Sequence, residues 1–203
     1  MRKIILLFFI FLSFFLNAHE PNYGLYFKSH KYMGAERTAL VLNNNKPFRL
    51  NKEFILSFDM SLRNGFIFGT VFKIISDTQD VISLNFIADE KNNQYPILSI
   101  NDNIYPITNR IELNKWFFVN IRFSAKKDSV LLDYDKIHLA IPFSFKDWRE
   151  VSLYFGVCRH PNFSSAEIPP MNVRDIKIHS NNKLIRYWQL KRHTVDYCYD
   201  EIQ

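Results

Sequence analysis

The chain has 203 residues, and its content of 47% hydrophobic and 16% aromatic residues is sufficient for a packed core, which argues against a disordered chain. Its 26 basic and 20 acidic residues give a formal net charge of +6, but the basic residues are spread along the sequence. Pairs as short as Lys126-Lys127 and Lys191-Arg192 do not form the clustered basic face that nucleic acids require, so we expect no nucleic-acid partner.

The first eighteen residues have the layout of a secretory signal peptide. Two basic residues precede an apolar run from Ile4 to Leu16, and Ala18 is a small residue at the expected cleavage point. The alternative is a membrane anchor, but this run is shorter than the roughly 20 apolar residues that a membrane-spanning helix needs. We therefore predict a signal peptide at 1–18 and an exported mature chain at 19–203. We place this mature chain in the periplasm, at the cell surface or outside the cell, with no membrane insertion after cleavage.

Short runs rich in Val, Ile, Phe and Tyr, separated by polar clusters, predict antiparallel strands. The clearest run is Glu53 to Leu62, where every even-numbered residue is apolar and the odd-numbered positions include Ser57 and Asp59. One face of this strand should point into a core and the other should be largely wet. Further strands are predicted at Phe66 to Ile75, Val81 to Ala88, Tyr95 to Ile100, Trp116 to Phe123, Ser129 to Tyr134, Ile137 to Ile141, Val151 to Val157, Val173 to His179 and Leu184 to Leu190.

The predicted turns use Asn and Asp more than Gly, of which the chain has 5. Asn tolerates the left-handed backbone conformation, so it can close turns in place of Gly. We expect hairpin turns at Asn101 to Asn103 and at Asn181 to Lys183. The segment Pro142 to Glu150 is where a short helical turn or a bulky loop is expected. Without an internal repeat or a linker, residues 19–203 are predicted to form a single all-β domain.

Four stretches of the sequence resemble strands of one known sandwich family, and they occur in the same order as in that family. They are Phe54-Ile55-Leu56-Ser57-Phe58-Asp59-Met60, Asn114-Lys115-Trp116-Phe117-Phe118-Val119-Asn120-Ile121, Leu131-Leu132-Asp133-Tyr134-Asp135 and Met171-Asn172-Val173-Arg174-Asp175-Ile176-Lys177-Ile178. In this order they resemble strands of the laminin G-type branch of the concanavalin A-like jelly rolls. The resemblance implies a two-sheet antiparallel jelly-roll sandwich in which the strand near Gly24 to Phe27 lies close to the last strand. Independently of this resemblance, Trp116 and Trp188 are expected in the core rather than in a ligand site.

Three further stretches are Phe155-Gly156-Val157-Cys158, Pro169-Pro170-Met171-Asn172-Val173-Arg174-Asp175 and Cys198-Tyr199-Asp200-Glu201. They resemble the amino-terminal domain of exported bacterial proteins in which such a sandwich precedes β-propeller repeats. The resemblance implies a recognition or spacer domain docked against a propeller. The sequence stops at Gln203 without a propeller, which leaves a stand-alone module and a shortened form of a larger protein as alternatives.

Catalytic motifs are sparse in this sequence. Jelly-roll glycoside hydrolases pair carboxylates on one strand, and the nearest candidates here are Asp133 and Asp135, which the resemblance assigns to a hairpin. Cys158 and His160 could form an activated thiol, but a structural cysteine is the favoured interpretation. We find no metal-ligand spacing among the six His residues and no phosphate-binding loop. We therefore expect no enzyme activity and no cofactor, with a glycan-cleaving enzyme as the alternative.

Two weaker hypotheses concern calcium and a disulfide. Acidic residues in predicted loops could hold calcium at a loop rim together with carbonyl oxygens. These candidates are Asp77, Asp80, Asp89 and Glu90. Export would also allow Cys158 and Cys198 to form a disulfide. Two unpaired thiols are the alternative, because sequence does not reveal the distance between them.

Sugar rings stack on aromatic side chains while neighbouring polar groups bind their hydroxyls. The residues of these types in loop-like stretches are Tyr32, Trp148, Arg159, His160 and Asn162. Trp148 could instead cap an end of the sandwich. We therefore predict a non-catalytic binding or interaction module whose partner is a glycan or a protein. The alternatives are a glycan-cleaving enzyme and a purely structural domain of a larger multidomain protein.

Overall fold

A computed structural model describes residues 23–49, 53–108, 111–124, 126–191 and 198–202. The predicted signal peptide lies outside the described residues. Within the described ranges, no helix has both the length and the apolar character that a bilayer span requires.

In this part of the chain the polypeptide forms fourteen strands and two short 3-10 helices, at Gly34–Glu36 and Asn43–Asn45. The strands are β1 (Leu25–Tyr26), β2 (Ala39–Val41), β3 (Phe48–Arg49), β4 (Glu53–Leu62), β5 (Gly69–Ser76), β6 (Val81–Ala88), β7 (Gln94–Ile100), β8 (Asn103–Pro106), β9 (Trp116–Ser124), β10 (Ser129–Tyr134), β11 (Ile137–Pro142), β12 (Glu150–Gly156), β13 (Met171–Ser180) and β14 (Lys183–Trp188). The all-β prediction is confirmed.

The strands form two seven-stranded antiparallel sheets. Sheet A has the order β1-β13-β4-β9-β10-β11, with β14 also paired to β13. Sheet B has the order β2-β12-β5-β6-β7-β8, with β3 also paired to β12. The predicted two-sheet antiparallel sandwich of the concanavalin A/laminin G type is confirmed, and the first and last strands share β13 as a neighbour.

Strand bounds follow the predicted apolar runs closely. The bounds of β4, β6 and β10 coincide with the predicted ones. The hairpin turns are also confirmed, since Asn101 and Asn181 have φ of 53° and 48°. The segment after β11 is a loop rather than a helix. We did not predict β2, β3 or β8, because strands of two to four residues are too short to show an alternating pattern.

The two sheets meet through aromatic side chains near the centre of the sandwich. Phe58 of sheet A contacts two residues of sheet B, with ring centroids 5.0 Å from Phe155 and 5.8 Å from Phe72. All three side chains are fully buried. Each buried aromatic ring removes a large apolar area from water, worth about 2–3 kcal/mol, and edge-to-face packing adds to this.

The two predicted core tryptophans have different positions. Trp188 is 3% exposed and packs in the core, as expected. The prediction for Trp116 is wrong. It pairs with Ser61, whose side chain points away from the interior, so Trp116 lies on the outer face of sheet A. There the guanidinium of Arg174 lies 4.2 Å from the centroid of its ring, a distance typical of a cation–π contact.

The connections divide between two ends of the sandwich. We call the end with the loops β1–β2, β4–β5, β6–β7, β8–β9, β10–β11 and β12–β13 the proximal end, and the opposite end the distal end; the assignment follows from the antiparallel registers. Phe27, which is fully buried, fills the interior beneath the β1–β2 loop. At the distal end, Trp148 packs against Phe123 and Phe145 at centroid distances of 5.7 and 6.1 Å.

Gly69, at the start of β5, has φ +110°, a conformation that favours glycine. A Cβ there would lie 2.3 Å from the carbonyl carbon of Glu167 and 2.4 Å from its oxygen. We expect Gly69→Ala to lower the free energy of unfolding by about 3 kcal/mol, because backbone would have to move. Urea denaturation measures this change. Gly34→Ala is the control, since no heavy atom lies within 4 Å of its Cβ position; equal losses in both variants would contradict the prediction.

Candidate functional site

The β12–β13 loop folds back over the outer face of sheet B. Cys158 and Ser165 exchange two backbone hydrogen bonds of 2.9 Å, which close residues 158–165 into a narrow strap. Lys73, whose side chain points outward from β5, donates a hydrogen bond of 3.0 Å to the carbonyl oxygen of Phe163. The strap is therefore held at its base by backbone pairing and near its tip by a lysine of the sheet beneath it.

His160 packs against aromatic residues inside and outside the strap. Its ring stacks on Phe163 with centroids 5.4 Å apart, and Tyr154 lies edge-on at 6.3 Å. Its Nδ1 accepts a hydrogen bond of 3.3 Å from the backbone N–H of Asn162. These contacts fix the imidazole plane and leave Nε2 as the ring nitrogen through which a ligand can be bound.

Arg37 connects the strap region to the β1–β2 loop. Its Nε donates to the carbonyl oxygen of Tyr32 at 3.2 Å. Its Nη1 donates to the carbonyl oxygen of Ala166 at 2.9 Å and to the carboxylate of Glu167 at 2.6 Å. One guanidinium thus joins two loops that are about 130 residues apart in sequence and fixes the spacing between them.

An open cleft of about 580 Å³ lies between the strap and the Gly34-Ala35 turn. Arg159, His160 and Ser164 line it, and no Asp or Glu is among its lining residues. Arg159 is exposed and forms no hydrogen bond or ion pair with any of the described residues. The cleft therefore offers the Arg159 guanidinium, Nε2 of His160 and the Ser164 hydroxyl, none of which is hydrogen-bonded to another described residue.

The predicted ligand-binding residues are only partly brought together. Arg159 and His160 line the cleft. Asn162 lies at the strap tip, where its amide donates to Gln79 at 3.1 Å. Tyr32 belongs to the adjoining β1–β2 loop, with its ring 5.6 Å from Lys28 Nζ. Sequence patterns did not indicate Arg37, because its role depends on two distant loops.

Trp148 is not part of this cleft. It lies at the distal end, is 6% exposed and packs against aromatic side chains. Its indole N–H donates to Asp80 at 2.7 Å. Because its ring contacts the core and its polar atom is engaged, the structure gives it no face for a sugar ring.

The four calcium candidates do not form one site. Asp77 and Asp80 lie in the β5–β6 turn, whereas Asp89 and Glu90 follow β6 at its other end. The eight residues of β6 span about 25 Å, so no single ion can contact both pairs. Asp89 also caps its own turn, accepting from the backbone N–H of Lys91 at 2.9 Å. Among the described residues, no three His, Cys, Asp or Glu side chains are grouped to hold a metal.

The two cysteines are free thiols in this structure, so the predicted disulfide is not formed. Cys158 packs in a small cluster with Ile75 and Tyr154, whereas Cys198 packs against the main core. Burial raises the pKa of both thiols. A raised pKa disfavours the thiolate, which agrees with a structural Cys158 rather than a nucleophile.

Asp133, the carboxylate considered for catalysis, lies on the outer face of sheet A. It accepts hydrogen bonds from Asn120 at 2.8 Å and from His138 at 2.7 Å. Burial acts to raise the pKa of Asp133, but the hydrogen bonds to His138 and Asn120 hold it below its usual value. Asp133 is therefore a stable anion, which suits a hydrogen-bond acceptor better than a proton donor.

No family model and no curated protein matches this chain. Solved structures do match. Full-length tailspike protein 2 of an Escherichia coli O157:H7 bacteriophage has a TM-score of 0.55 and 14% identity, covering 83% of this chain and 26% of that one. Domains LG4-5 of the mouse laminin α1 chain have a TM-score of 0.51 and 13% identity, covering 80% of this chain and 44% of that one.

The enzymatically active domain of bacteriophage CBA120 tailspike protein 2 has a TM-score of 0.53 and 13% identity, covering 75% of this chain and 28% of that one. The chain thus spans between about a quarter and under half of the length of these three structures. Identities this low show a common sandwich fold, and the activities of the whole proteins do not follow from it.

The Asp80 carboxylate should make stability depend on pH. Burial acts to raise its pKa, but hydrogen bonds from Trp148, Asn101 and Thr78 lower it below the usual value. A carboxyl group with a lowered pKa in the folded state stabilises the fold at pH values above its unfolded pKa of about 3.9. This stabilisation is lost as the pH falls through the folded-state pKa. We expect Asp80→Asn to cost about 2 kcal/mol at neutral pH and progressively less below about pH 4.

Urea unfolding at several pH values measures this effect. The control is Asp102→Asn, an exposed carboxylate that forms no hydrogen bond with the described residues. If Asp80→Asn lowers the free energy of unfolding equally at acidic and neutral pH, the Asp80 anion is not the source of the stabilisation.

Arg37→Gln should loosen the β1–β2 loop and the strap while leaving the sandwich intact. We expect amide exchange in both segments to rise about tenfold, because losing these charge-assisted bonds costs about 1.4 kcal/mol locally. Hydrogen exchange with mass spectrometry resolves the segments. Arg49→Gln is the control, since Arg49 is 90% exposed and lies 3.6 Å from Glu150. Unchanged exchange in both loops would refute the role of Arg37.

Proposed function

We propose that residues 19–203 form an exported module that binds glycans, without cleaving them, in the cleft between the strap and the Gly34-Ala35 turn. The observation that carries the proposal is the combination of an open cleft of about 580 Å³ with polar groups that the fold leaves unused. Ligand sites are typically concave and hold a few convergent polar groups. This cleft is open and shallow, and it brings convergent polar groups together.

The charge of the cleft favours an acidic glycan. Arg159 carries five N–H donors in a planar fork that matches a carboxylate or sulfate. His160 Nε2 and the Ser164 hydroxyl add hydrogen-bonding groups suited to sugar hydroxyls. With no carboxylate in the lining, an anionic sugar meets no repulsion there, so we place uronic-acid-containing or sulfated chains ahead of neutral ones.

Binding without cleavage is favoured by the state of the acidic residues. Glycoside hydrolysis needs a protonated carboxyl beside a second carboxylate. The lowered pKa of Asp133 keeps this group ionised, and Asp135 occupies the β10–β11 turn with φ 51°. Neither residue lines the cleft.

Export is supported by the sequence of the first eighteen residues. The test is the amino-terminal sequence of the protein recovered from the periplasmic, surface and culture fractions of the producing cells. A mature protein beginning at His19 in one of these fractions is the expected result. Recovery of uncleaved chain from the cytoplasm alone would refute export.

The binding prediction is tested with polygalacturonate and a sulfated glycosaminoglycan as acidic probes and dextran as a neutral one. We expect Arg159→Gln to weaken binding to the acidic probes at least about tenfold, the loss typical of a charge-assisted bond. His160→Ala should weaken it by a smaller factor. Calorimetry or biolayer interferometry supplies the affinities.

The matched controls remove the same residue types elsewhere. Arg49→Gln alters a guanidinium that is 90% exposed, and His138→Ala alters a histidine that is 75% exposed on sheet A. Both should bind like the wild type. Equal losses in cleft and control variants would contradict the site. Release of reducing sugar, abolished by Asp133→Asn, would favour the glycan-cleaving alternative.

A further inference from the structure

The proximal end also has a group of aromatic and apolar side chains that is separate from the cleft. Aromatic and apolar side chains from the end of β1 and from the β1–β2 and β4–β5 loops lie there, and each is exposed or partly exposed to solvent. We call this set the aromatic rim; its members are Tyr26, His30, Tyr32, Met33, Phe66 and Phe68. Met33 is 76% exposed, and Tyr26, Phe66 and Phe68 are 49%, 43% and 37% exposed.

Ring contacts join His30, Phe66 and Phe68 across the two loops. Phe66 and Phe68 stack with centroids 5.9 Å apart and an interplanar angle of 19°. His30, from the other loop, packs edge-on against Phe66 at 6.0 Å. The neighbouring Tyr26 side chain raises the pKa of Tyr32, so the two hydroxyls lie close together. The two loops therefore present their apolar groups in a fixed arrangement.

Basic side chains lie next to the aromatic rim. The guanidinium of Arg63 lies 3.5 Å from the centroid of the Tyr26 ring, and Lys28 Nζ lies 5.6 Å from that of Tyr32. Lys31 approaches the same surface, since the Cβ position of Gly65 lies 3.8 Å from Lys31 Cε. Glu36 is the acidic residue close enough to act on Tyr32.

The charge of Arg63 is not neutralised by the fold. Its guanidinium donates to Phe27 O and to Asn172 Oδ1, both at 2.6 Å, and to the carbonyl oxygen of Met171. All three acceptors are neutral oxygens. Among the described residues, neither it nor Lys28 nor Lys31 forms an ion pair with a carboxylate. Arg37 and Glu167 at the proximal end pair with each other, so three cations against the carboxylate of Glu36 leave the rim with net positive charge.

We propose that the aromatic rim docks on the surface of an anionic lipid bilayer, without spanning it. Met33, Phe66 and Phe68 enter the boundary between headgroups and acyl chains, where aromatic and apolar side chains partition favourably. Lys28, Lys31 and Arg63 face the lipid phosphates, to which cations near the surface are attracted.

The geometry favours a bilayer over a protein partner. A stable protein interface covers a continuous area of roughly 800 Å² on each side, usually with charged residues depleted at its centre. The rim instead consists of residues at the end of β1 and in the loops, with cations over two of the rings. Apolar side chains beside cations match a lipid bilayer, in which charged phosphates lie next to the hydrocarbon chains.

The first test compares sedimentation of the full chain and its Phe66→Ser/Phe68→Ser variant with vesicles of mixed phosphatidylglycerol and phosphatidylcholine. We expect the variant to bind at least about tenfold more weakly. Both proteins carry the same apolar run near the N-terminus, so the difference between them belongs to the rim. Ile104→Ser, which alters a 59% exposed residue of β8, is the control and should bind like the wild type.

A second measurement reports directly on the rim. Phe66→Trp should show emission that shifts to shorter wavelength with these vesicles and is quenched by brominated acyl chains, whereas Ile104→Trp should show neither change. Lys28→Gln/Lys31→Gln should weaken binding to phosphatidylglycerol vesicles, and added salt should weaken wild-type binding, because exposed charges are screened.

Equal binding by the wild type and the Phe66→Ser/Phe68→Ser variant would overturn the proposal. Equal affinity for vesicles of phosphatidylcholine alone, or an unquenched Trp at position 66, would overturn it too. Self-association of the wild type that the double substitution abolishes, without lipid binding, would identify a second copy of the chain as the partner instead. These outcomes do not depend on glycan binding, since no rim residue lines the cleft.

Discussion

The contact of Phe58 with Phe72 and Phe155 across the two sheets is the interaction on which the rest of this structure depends. Each sheet is apolar on its inner face, and neither face can be hidden from water without the other. Once the sheets are stacked, a chain that passes from one to the other must cross at an end of the sandwich. Side chains in the loops at the two ends are therefore not required to fill the core, and they can take part in binding.

The loop side chains of the two ends differ in how far they enter the space between the sheets. At the distal end, Trp148 and its aromatic neighbours fold into the gap between the sheets, and Asp80 satisfies the indole N–H. At the proximal end, Phe27 alone of the β1–β2 loop segment 27–33 enters the interior as a large apolar side chain. The ring of Tyr32 and the side chain of Met33 remain outside. The proximal end is consequently the functional end in both of our proposals.

Arginine and glycine together shape the proximal loops. Arg37 and Arg63 each donate to carbonyl oxygens of segments distant in sequence, which holds the loops in place. Gly69 and Gly156 let backbone approach backbone, since a Cβ at either position would lie 2.3 Å or 2.5 Å from the nearest main-chain atom. A rigid loop frame lowers the entropic cost of ordering a site when a ligand binds. The cleft and the rim are both supported by this frame.

Alternation of apolar and polar residues by itself determined the longer strands, the all-β class and the stacking of two sheets, because a strand's two faces are encoded locally with a period of two. The asparagine turns were equally local, as the φ values of Asn101 and Asn181 show. Only the tertiary structure decided which side of sheet A carries Trp116, that Cys158 and Cys198 remain unpaired, and that Trp148 lies in the core. It also decided that Arg159 and His160 face the Gly34-Ala35 turn, and that Phe66 meets His30. These relations join residues far apart in sequence, and no local pattern encodes how two sheets and their loops finally meet.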